Sequence, residues 1–255
     1  MKQWVVLLLS ASFFSLNSRA QQLNMHRDFV LVPGGSDTVA VISSDGSEPD
    51  YQEKMVAYQL NSFHISRTCV SVSDYARFCR ALHKNMPAPP AWGWGDLKKP
   101  MVNVSYQDAL EYCRYLTELW GVPVRLAAKD EWVYASFSGR FVNHLTGGYT
   151  VLPDIEKYAA FNNGKQANEQ PVCITCRQPN DLGIYNMWGN VWEWVDGWHH
   201  TPGDTDTSSS RKMIIGGSFR SPREDMHSEA TQMLPVTYRS DEIGFRVVIN
   251  ITNNP

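Results

Sequence analysis

Apolar and polar positions alternate along the chain in a way that predicts a few regular elements separated by long polar stretches. Apolar runs at Phe29 to Val32 and around Tyr58 to Ile65 predict two strands. The turn-forming sequence Asp45 to Asp50 lies between these runs and predicts an exposed connection. Another apolar run, Ile243 to Ile251, predicts a terminal strand. We therefore expect strands to come from both ends of the chain.

Two segments have the spacing of amphipathic helices. Ser73 is a favourable capping residue for the first helix. The apolar face of that helix consists of Tyr75, Phe78, Cys79 and Leu82. For the second helix, Ser105 and Asp108 form a variant capping box, and Gly121 marks the end. Its apolar face consists of Ala109, Tyr112, Cys113, Leu116 and Trp120. The pattern as a whole predicts an α+β fold with two main helices.

The remaining chain is predominantly loop. A third, short helix is expected near Lys129, where Ala128 lacks the side-chain oxygen that usually caps a first turn. The stretch from Gly139 to Asn180 is mostly loop, and such length within one domain is typical of a functional surface or of bound ions. The Ser- and Asp-rich stretch from His199 to Arg211 predicts another exposed loop.

The beginning of the chain has the pattern of a secretory signal peptide. Met1-Lys2 precedes the apolar stretch Trp4 to Leu16, and Ser18-Arg19-Ala20 offers a small-x-small cleavage site. We therefore expect residues 1–20 to be a signal peptide, residues 21–255 to form one domain, and the mature protein to be periplasmic or extracellular. No later apolar run is long enough for a membrane-spanning helix, so no transmembrane segment is expected after signal removal.

Composition narrows the class of partner. The chain has 23 Lys and Arg against 26 Asp and Glu, a formal net charge of −3, and removal of the signal peptide takes away two cations. The basic residues are scattered rather than clustered, which argues against a nucleic-acid partner. An envelope protein, a peptide or a glycan is compatible with this surface.

Five cysteines in an exported chain leave at least one without an intramolecular disulfide partner. Cys173 and Cys176 are the obvious local pair, and their Pro- and Asn-rich surroundings favour a structural disulfide over a redox centre. A zinc site would need a second ligand pair, which the sequence does not offer. Cys79 and Cys113 fall on the apolar faces of the two helices and are expected to be buried thiols.

The densest aromatic segment is Gly183 to Trp194, in which three Trp surround a single charge, Glu193. Such a segment is expected in a core, and a carboxylate buried there needs a partner. A bound cation is one candidate, and the backbone amides of the adjoining loop are another.

This segment, followed by Gly216-Gly217-Ser218-Phe219-Arg220 and Gly244-Phe245-Arg246-Val247, resembles the formylglycine-generating enzyme (sulfatase-modifying factor) family. Further similar motifs follow in the family's order and extend the similarity over about residues 29 to 249: Phe29 to Gly35, Val72 to Phe78, Pro100 to Tyr106 and Arg125 to Trp132. The resemblance implies a loop-rich variant of the C-type lectin fold, with short antiparallel sheets.

The resemblance also implies a copper site and a calcium site, of which we expect only the calcium site to be kept. Catalytic members bind copper through two Cys after the Gly-Gly-Ser motif, and this chain has Ser221 and Met226 at those positions. Neither residue replaces a thiolate, so we expect no copper and no formylglycine formation. The family also binds calcium through four oxygen donors, which match Asn186, Gly189, Val191 and Glu193. A second family calcium site is expected to be lost, because no suitable Asp follows Phe161 to Gly164.

Two functions are therefore open. Trp192 and Ser218 match positions that line the family's substrate groove, and Arg220 adds a charge to the same region. The first hypothesis is an exported, calcium-stabilised binding or structural module of the bacterial cell envelope. The second is a periplasmic enzyme, an oxidase or maturation factor with a different catalytic centre on the same scaffold. Its candidate catalytic residues are Ser221, Glu224, Asp225 and His227.

Overall fold

The computed structural model describes residues 28–43, 52–141, 154–164, 169–197, 211–228 and 230–250. The strands in these residues are β1 (Phe29–Val32), β2 (Gly35–Ser43), β3 (Gln52–Leu60), β4 (Phe63–Ser66), β5 (Val124–Leu126), β6 (Trp192–Val195), β7 (Arg211–Ile215), β8 (Thr231–Pro235), β9 (Ile243–Phe245) and β10 (Val247–Asn250). The helices are α1 (Val72–Ala81), α2 (Tyr106–Trp120), α3 (Lys129–Ser136) and α4 (Ile155–Tyr158), with a 3₁₀ turn at Arg223–Asp225. This composition confirms the predicted α+β class. The predicted signal peptide lies outside the described residues, and so does the predicted loop from His199 to Arg211 except for Arg211, which begins β7.

The strands form two four-stranded sheets and a separate two-stranded ribbon. In the first sheet the order is β1-β4-β10-β5, with antiparallel pairs throughout. In the other four-stranded sheet the order is β8-β7-β6-β9, and β6 and β9 run parallel. The ribbon consists of β2 and β3.

Two predicted strands are each divided in the structure. The predicted terminal strand is interrupted at Arg246, because β9 pairs with β6 in one sheet while β10 joins β4 and β5 in the other. The run around Tyr58 to Ile65 is likewise split between β3 and β4. Strand β2 was missed, since its sequence, Gly35 to Ser43, begins with small and polar residues. The turn predicted at Asp45 to Asp50 lies outside the described residues.

Capping explains where the two main helices begin. The cap of α1 is Ser71, whose side chain accepts a hydrogen bond from the Asp74 backbone N–H, so the expected cap at Ser73 was wrong. The predicted apolar face of α1 is buried except for Leu82, which follows the helix and is exposed. Helix α2 has the predicted cap at Ser105 and ends at Gly121, whose φ of 68° is left-handed.

The interior contains two large apolar clusters. One joins α1 and α2 to the sheets and includes Cys79 and Cys113, which confirms that these thiols are buried. The other surrounds Trp132 of α3 and Trp188. Helix α3 begins at Lys129 as predicted, and Ala128 makes no side-chain capping bond. Across the residues that the structure describes, no helix combines the length and apolarity needed to cross a membrane.

Candidate functional site

The aromatic segment from Gly183 to Val195 passes between the two apolar clusters. It contributes Trp192 and Trp194 to the first cluster and Trp188 to the second. Left-handed backbone at Asn186 and Asn190 (φ 48° and 63°) turns the chain sharply, and Asn tolerates this conformation better than most residues. At Gly189 a Cβ atom would lie 2.3 Å from the Ala160 carbonyl oxygen, so glycine is required there.

Glu193 is buried and finds its partner in Arg246. The two side chains are each 1% exposed. Arg246 donates from Nε to Oε2 (2.6 Å) and from Nη2 to Oε1 (2.7 Å) of Glu193, a bidentate pair. Trp132 Nε1 donates a third hydrogen bond to Oε2, at 2.7 Å. The sequence predicted that this carboxylate needs a partner and offered a bound cation or loop amides as candidates. In the structure its partners are the Arg246 guanidinium group and the Trp132 indole, neither of which was predicted.

The guanidinium group of Arg246 also fixes the surrounding backbone. It donates to the carbonyl oxygens of Ser66 (3.3 Å) and Tyr185 (3.1 Å), which belong to separate parts of the chain. Burial alone would lower the pKa of Arg246, but the Glu193 carboxylate outweighs it, and the pKa is raised. Burial, with a smaller contribution from Glu193, also raises the pKa of the neighbouring Cys69 thiol to about 12. Arg246 therefore stays charged and Cys69 stays a neutral thiol.

The predicted calcium ligands all lie in this segment. Asn186 is 3% exposed, and its Oδ1 is buried without a hydrogen-bond partner. Glu193 Oε1 accepts one hydrogen bond from Arg246, and a carboxylate oxygen can accept a further contact. The carbonyl groups of Gly189 and Val191 follow in the same short segment. An orphaned amide oxygen, backbone carbonyl oxygens and a carboxylate are donors of the kind that a hard cation such as calcium takes, so the chemistry of these residues fits the ion.

This donor set differs from a cluster of charged ligands. Within the described ranges, no group of three or more His, Cys, Asp or Glu side chains could hold a metal ion. The candidate site instead uses amide and carbonyl oxygens with a single carboxylate. Asn186 also lines a cavity of about 360 Å³ whose wall includes Phe137, Tyr158 and Trp188.

A second cavity, of about 230 Å³, lies beside Trp192 and Ser221. Its lining is mixed, with the aromatic rings of Trp192 and Tyr238 and several polar side chains. The backbone N–H of Ser218 donates to Ser221 Oγ at 3.0 Å, and Ser218 Oγ donates to the Glu242 carboxylate. The two hydroxyl oxygens are 3.4 Å apart. We call this cavity the serine pocket; besides Trp192, Ser221, Tyr238 and Glu242, its lining residues are Ile214, Arg220, Gln232, Leu234, Ser240 and Ile243.

Arg220, which lines the serine pocket, forms ion pairs with two carboxylates. Arg220 Nη1 and Nη2 donate to the two carboxylate oxygens of Asp241, at 2.7 and 2.9 Å. Arg220 also lies 3.1 Å from the Glu242 carboxylate and stacks on the Phe219 ring. The hydrogen bond to Asp241 raises the pKa of Arg220. Sequence reasoning identified Arg220 but missed Asp241 and Glu242, which lie more than twenty residues later in the chain.

The other candidate catalytic residues lie outside this lining. Glu224 and Asp225 belong to the 3₁₀ turn, where Glu224 is exposed and Asp225 half-buried, and His227 follows them. Met226 is fully buried, and its Cε would be 2.3 Å from a Cβ at Gly217, whose φ of 76° also favours glycine. Ser221 thus shares the cavity lining with Trp192 and Arg220 and contacts Ser218, whereas Glu224, Asp225 and His227 are not among the lining residues.

Cys173 and Cys176 form a disulfide in the structure, as the sequence predicted. Cys176 is exposed and Cys173 is half-buried. The turn that they close is attached to the candidate calcium segment, because Asn186 Nδ2 donates to the carbonyl oxygens of Ile174 (2.9 Å) and Cys173 (3.4 Å). The disulfide is therefore a direct neighbour of the candidate site.

Comparison with known proteins supports the resemblance. The profile of a family described as "Sulfatase-modifying factor enzyme 1-like domain" matches residues 14–251. The formylglycine-generating enzyme of Mus musculus is 29% identical over 136 residues, which cover 47% of this chain and 35% of the mouse protein. The chain thus matches only about a third of that relative's length.

Two further proteins are similar over most of this chain. A protein of Paenibacillus barcinonensis named "Chaperone protein LppX" is 25% identical over 250 residues, covering 79% of this chain and 83% of the relative. The structure of PvdO from Pseudomonas aeruginosa superposes with a TM-score of 0.68 and 22% identity, covering 88% of this chain and 94% of PvdO. PvdO therefore has the same fold as this chain.

Proposed function

Since the chain belongs to the family of sulfatase-modifying factor enzyme 1-like domains, we propose that it is an exported, calcium-stabilised binding module of the bacterial cell envelope. Its ligand would enter the serine pocket, and a segment of an envelope protein is the class of ligand that we favour. The observation that carries this proposal is the chemistry of that pocket, which contains the Ser221 hydroxyl at the position of a family thiol, together with the Glu242 carboxylate and the Arg220 guanidinium group.

The replacement of the thiols supports a loss of the family's copper chemistry. Copper(I) favours soft thiolate ligands, whereas the Ser221 hydroxyl stays protonated near neutral pH. Met226, the other aligned position, is fully buried against Gly217. The three free cysteines among the described residues are Cys69, Cys79 and Cys113, which are buried elsewhere. Binding at the serine pocket needs none of these thiols.

The proposed calcium ion is supported by the orphaned Oδ1 of Asn186. Asn186 and Glu193 would supply side-chain oxygens, and Gly189 and Val191 would supply carbonyl oxygens. A bound divalent cation would satisfy the Asn186 oxygen and tie the left-handed turns of the segment together. Its proposed contribution is stability rather than catalysis.

Export is supported by the predicted signal peptide and by the disulfide, since disulfides persist mainly in oxidising compartments. The similarity to a protein named a chaperone adds a precedent for a binding role on this fold. We therefore place the proposed binding activity outside the cytoplasm.

Metal analysis tests the first part of the proposal. The protein is purified from its native compartment without chelators and analysed by plasma mass spectrometry. We expect about one calcium per chain and no stoichiometric copper. A protein that carries copper and no calcium would refute the proposal.

A gain-of-function variant tests the role of the aligned positions. The double substitution Ser221→Cys and Met226→Cys should create a copper(I) site, and the wild-type chain should bind no copper at this pocket. Each single substitution is the matched control, because one thiol cannot provide a pair. Wild-type conversion of a peptide cysteine to formylglycine, measured by mass spectrometry, would contradict the proposal directly.

A second candidate function is an enzyme with a different catalytic centre. The observation that favours it is the convergence of Ser221, Gln232 and Glu242 on an open cavity. Because the Glu242 carboxylate is already engaged by Arg220 and by the Ser218 hydroxyl, we rank this function second. If the chain has such an activity, Ser221→Ala and Glu242→Gln should each abolish turnover, while Glu224→Gln outside the pocket should retain it.

A further inference from the structure

We infer that the Cys173–Cys176 disulfide positions Asn186 for cation binding, so that the calcium affinity of the chain depends on the oxidation state of this pair. The inference rests on the proposed calcium site and adds a positioning role for the two cysteines. It makes calcium binding a property of the oxidised protein.

The first step is the orientation of the Asn186 amide. Its Nδ2 donates to the carbonyl oxygens of Ile174, at 2.9 Å, and Cys173, at 3.4 Å, and both carbonyls belong to the disulfide-closed turn. An amide flip would place Oδ1 against these two carbonyl oxygens, which is repulsive. The turn therefore decides which end of the amide faces the candidate site.

The second step is the state of the other end of that amide. Asn186 Oδ1 is buried and has no hydrogen-bond partner, and the residue is 3% exposed. A buried acceptor without a partner is costly, and its persistence here follows from the way the turn holds Nδ2. The turn thus keeps an unsatisfied oxygen in the place where a cation would need it.

The third step concerns what holds the turn. The backbone of Ile174 is anchored, because its N–H donates to the Lys98 carbonyl at 2.9 Å and its side chain packs against the buried cluster of Cys69, Val102 and Val191. The turn itself is closed by the disulfide and by a hydrogen bond from Cys176 N–H to Cys173 O, at 3.1 Å. Reduction would free the Cys173 side of the turn while Ile174 stays in place. We therefore expect a partial loss of calcium affinity, about tenfold.

The redox step is a simple thiol–disulfide exchange. A dithiol such as dithiothreitol attacks the exposed Cys176 sulfur, the S–S bond breaks, and a second attack releases the reagent as its cyclic disulfide. The chain gains two electrons and two protons and carries two thiols. Removal of the reductant followed by oxidation with glutathione disulfide restores the bond, so the effect should be reversible.

Isothermal titration of the full mature chain with calcium chloride tests the inference. Four samples are compared: oxidised wild type, wild type reduced with dithiothreitol, the Cys173→Ser/Cys176→Ser double variant, and Thr175→Ala. Thr175 is the matched control, because it is exposed in the same turn and its substitution keeps the disulfide, removing only a 3.9 Å contact between Oγ1 and Cys173 Sγ. We expect Thr175→Ala to match the oxidised wild type, and the other two samples to bind calcium about tenfold more weakly.

If the double variant does not fold, a spectroscopic measurement on the wild type takes the place of its titration. In ¹H–¹⁵N spectra without calcium, the Asn186 side-chain NH₂ resonances, assigned with Asn186→Asp, should shift and exchange faster after reduction. Equal affinity in oxidised and reduced protein, with unchanged Asn186 resonances, would overturn the inference and leave the calcium proposal standing. An oxidised wild type that binds no calcium would overturn both.

Discussion

Two arginine–carboxylate groups in this protein have the same chemistry and opposite surroundings. Arg246 and Glu193 are each 1% exposed and lie between the two apolar clusters. Arg220, which lines the serine pocket, is 40% exposed, and its partner Asp241 is 29% exposed. Removal of one member from a buried pair leaves an uncompensated charge, whereas an exposed pair exchanges its contacts for water. The first group should therefore govern stability, and the second should be available to a ligand.

The strongest test of this difference is Glu193→Gln. The substitution keeps the side-chain shape but leaves the Arg246 guanidinium buried without a counter-charge. We expect the free energy of unfolding to fall by about 3–5 kcal/mol, measured by urea denaturation in EDTA so that no bound ion contributes. The double variant Glu193→Leu/Arg246→Met is the control. Its free energy of unfolding should fall by less than that of Glu193→Leu or of Arg246→Met alone. A loss below about 1 kcal/mol in Glu193→Gln would contradict the role of the pair.

The third hydrogen bond to Glu193 can be tested separately. Trp132→Phe keeps most of the ring volume and removes the Nε1 donor, so we expect a loss of about 1.5–3 kcal/mol in urea denaturation. Trp194→Phe is the matched control, because Trp194 is as buried as Trp132 and its Nε1 donates to the uncharged Val104 carbonyl at 3.0 Å. That control should lose about 0.5–1.5 kcal/mol. Equal losses in the two variants would show that the charge on Glu193 does not strengthen its bond.

The pH dependence of stability extends the comparison to Cys69 beside the buried pair. Burial raises the pKa of Cys69 to about 12, above that of a thiol in the unfolded chain. The unfolded state therefore releases its proton first, and this contribution to stability is lost as the pH rises above about 9. Between pH 8 and 10, the unfolding free energy of wild type should fall by about 1–2 kcal/mol more than that of Cys69→Ala. Parallel pH profiles of the two proteins in urea would rule this out.

The smallest effect on stability is expected for the exposed pair of Arg220 and Asp241. Arg220→Ala should change the free energy of unfolding by less than about 1 kcal/mol, and 0.5 M salt should reduce the change further. Asp241→Asn removes the other member of the pair and should behave in the same way. A loss as large as that of Glu193→Gln would erase the distinction between the two groups. The measurement is urea denaturation at low and high salt.

Features with local causes were predictable from the sequence. The capping box of Ser105 and Asp108 and the left-handed Gly121 involve residues within one or two turns, and the structure confirms both. The Cys173–Cys176 pair is separated by three positions, so its geometry was also local. Ser71 was missed as a cap because Ser73 offers the same side chain two residues later.

Features that depend on distant partners were not predictable from patterns alone. Glu193 was recognised as a carboxylate that needs a partner, but Arg246 and Trp132 lie 53 and 61 residues away in the chain. A signal was nevertheless present, since Arg246 is a charge within the apolar run from Ile243 to Ile249. The role of Glu242 required the fold itself, because its contact with Ser218 spans 24 residues.

The position of β10 has a consequence for biosynthesis. This strand is made after β1, β4 and β5, yet it lies between β4 and β5 and supplies the backbone partners of both. A nascent chain that lacks residues 247–250 therefore cannot complete the first sheet. Until nearly the whole described chain has been synthesised, β4 and β5 have no strand to join them, so the first sheet is one of the last parts of the protein to be completed.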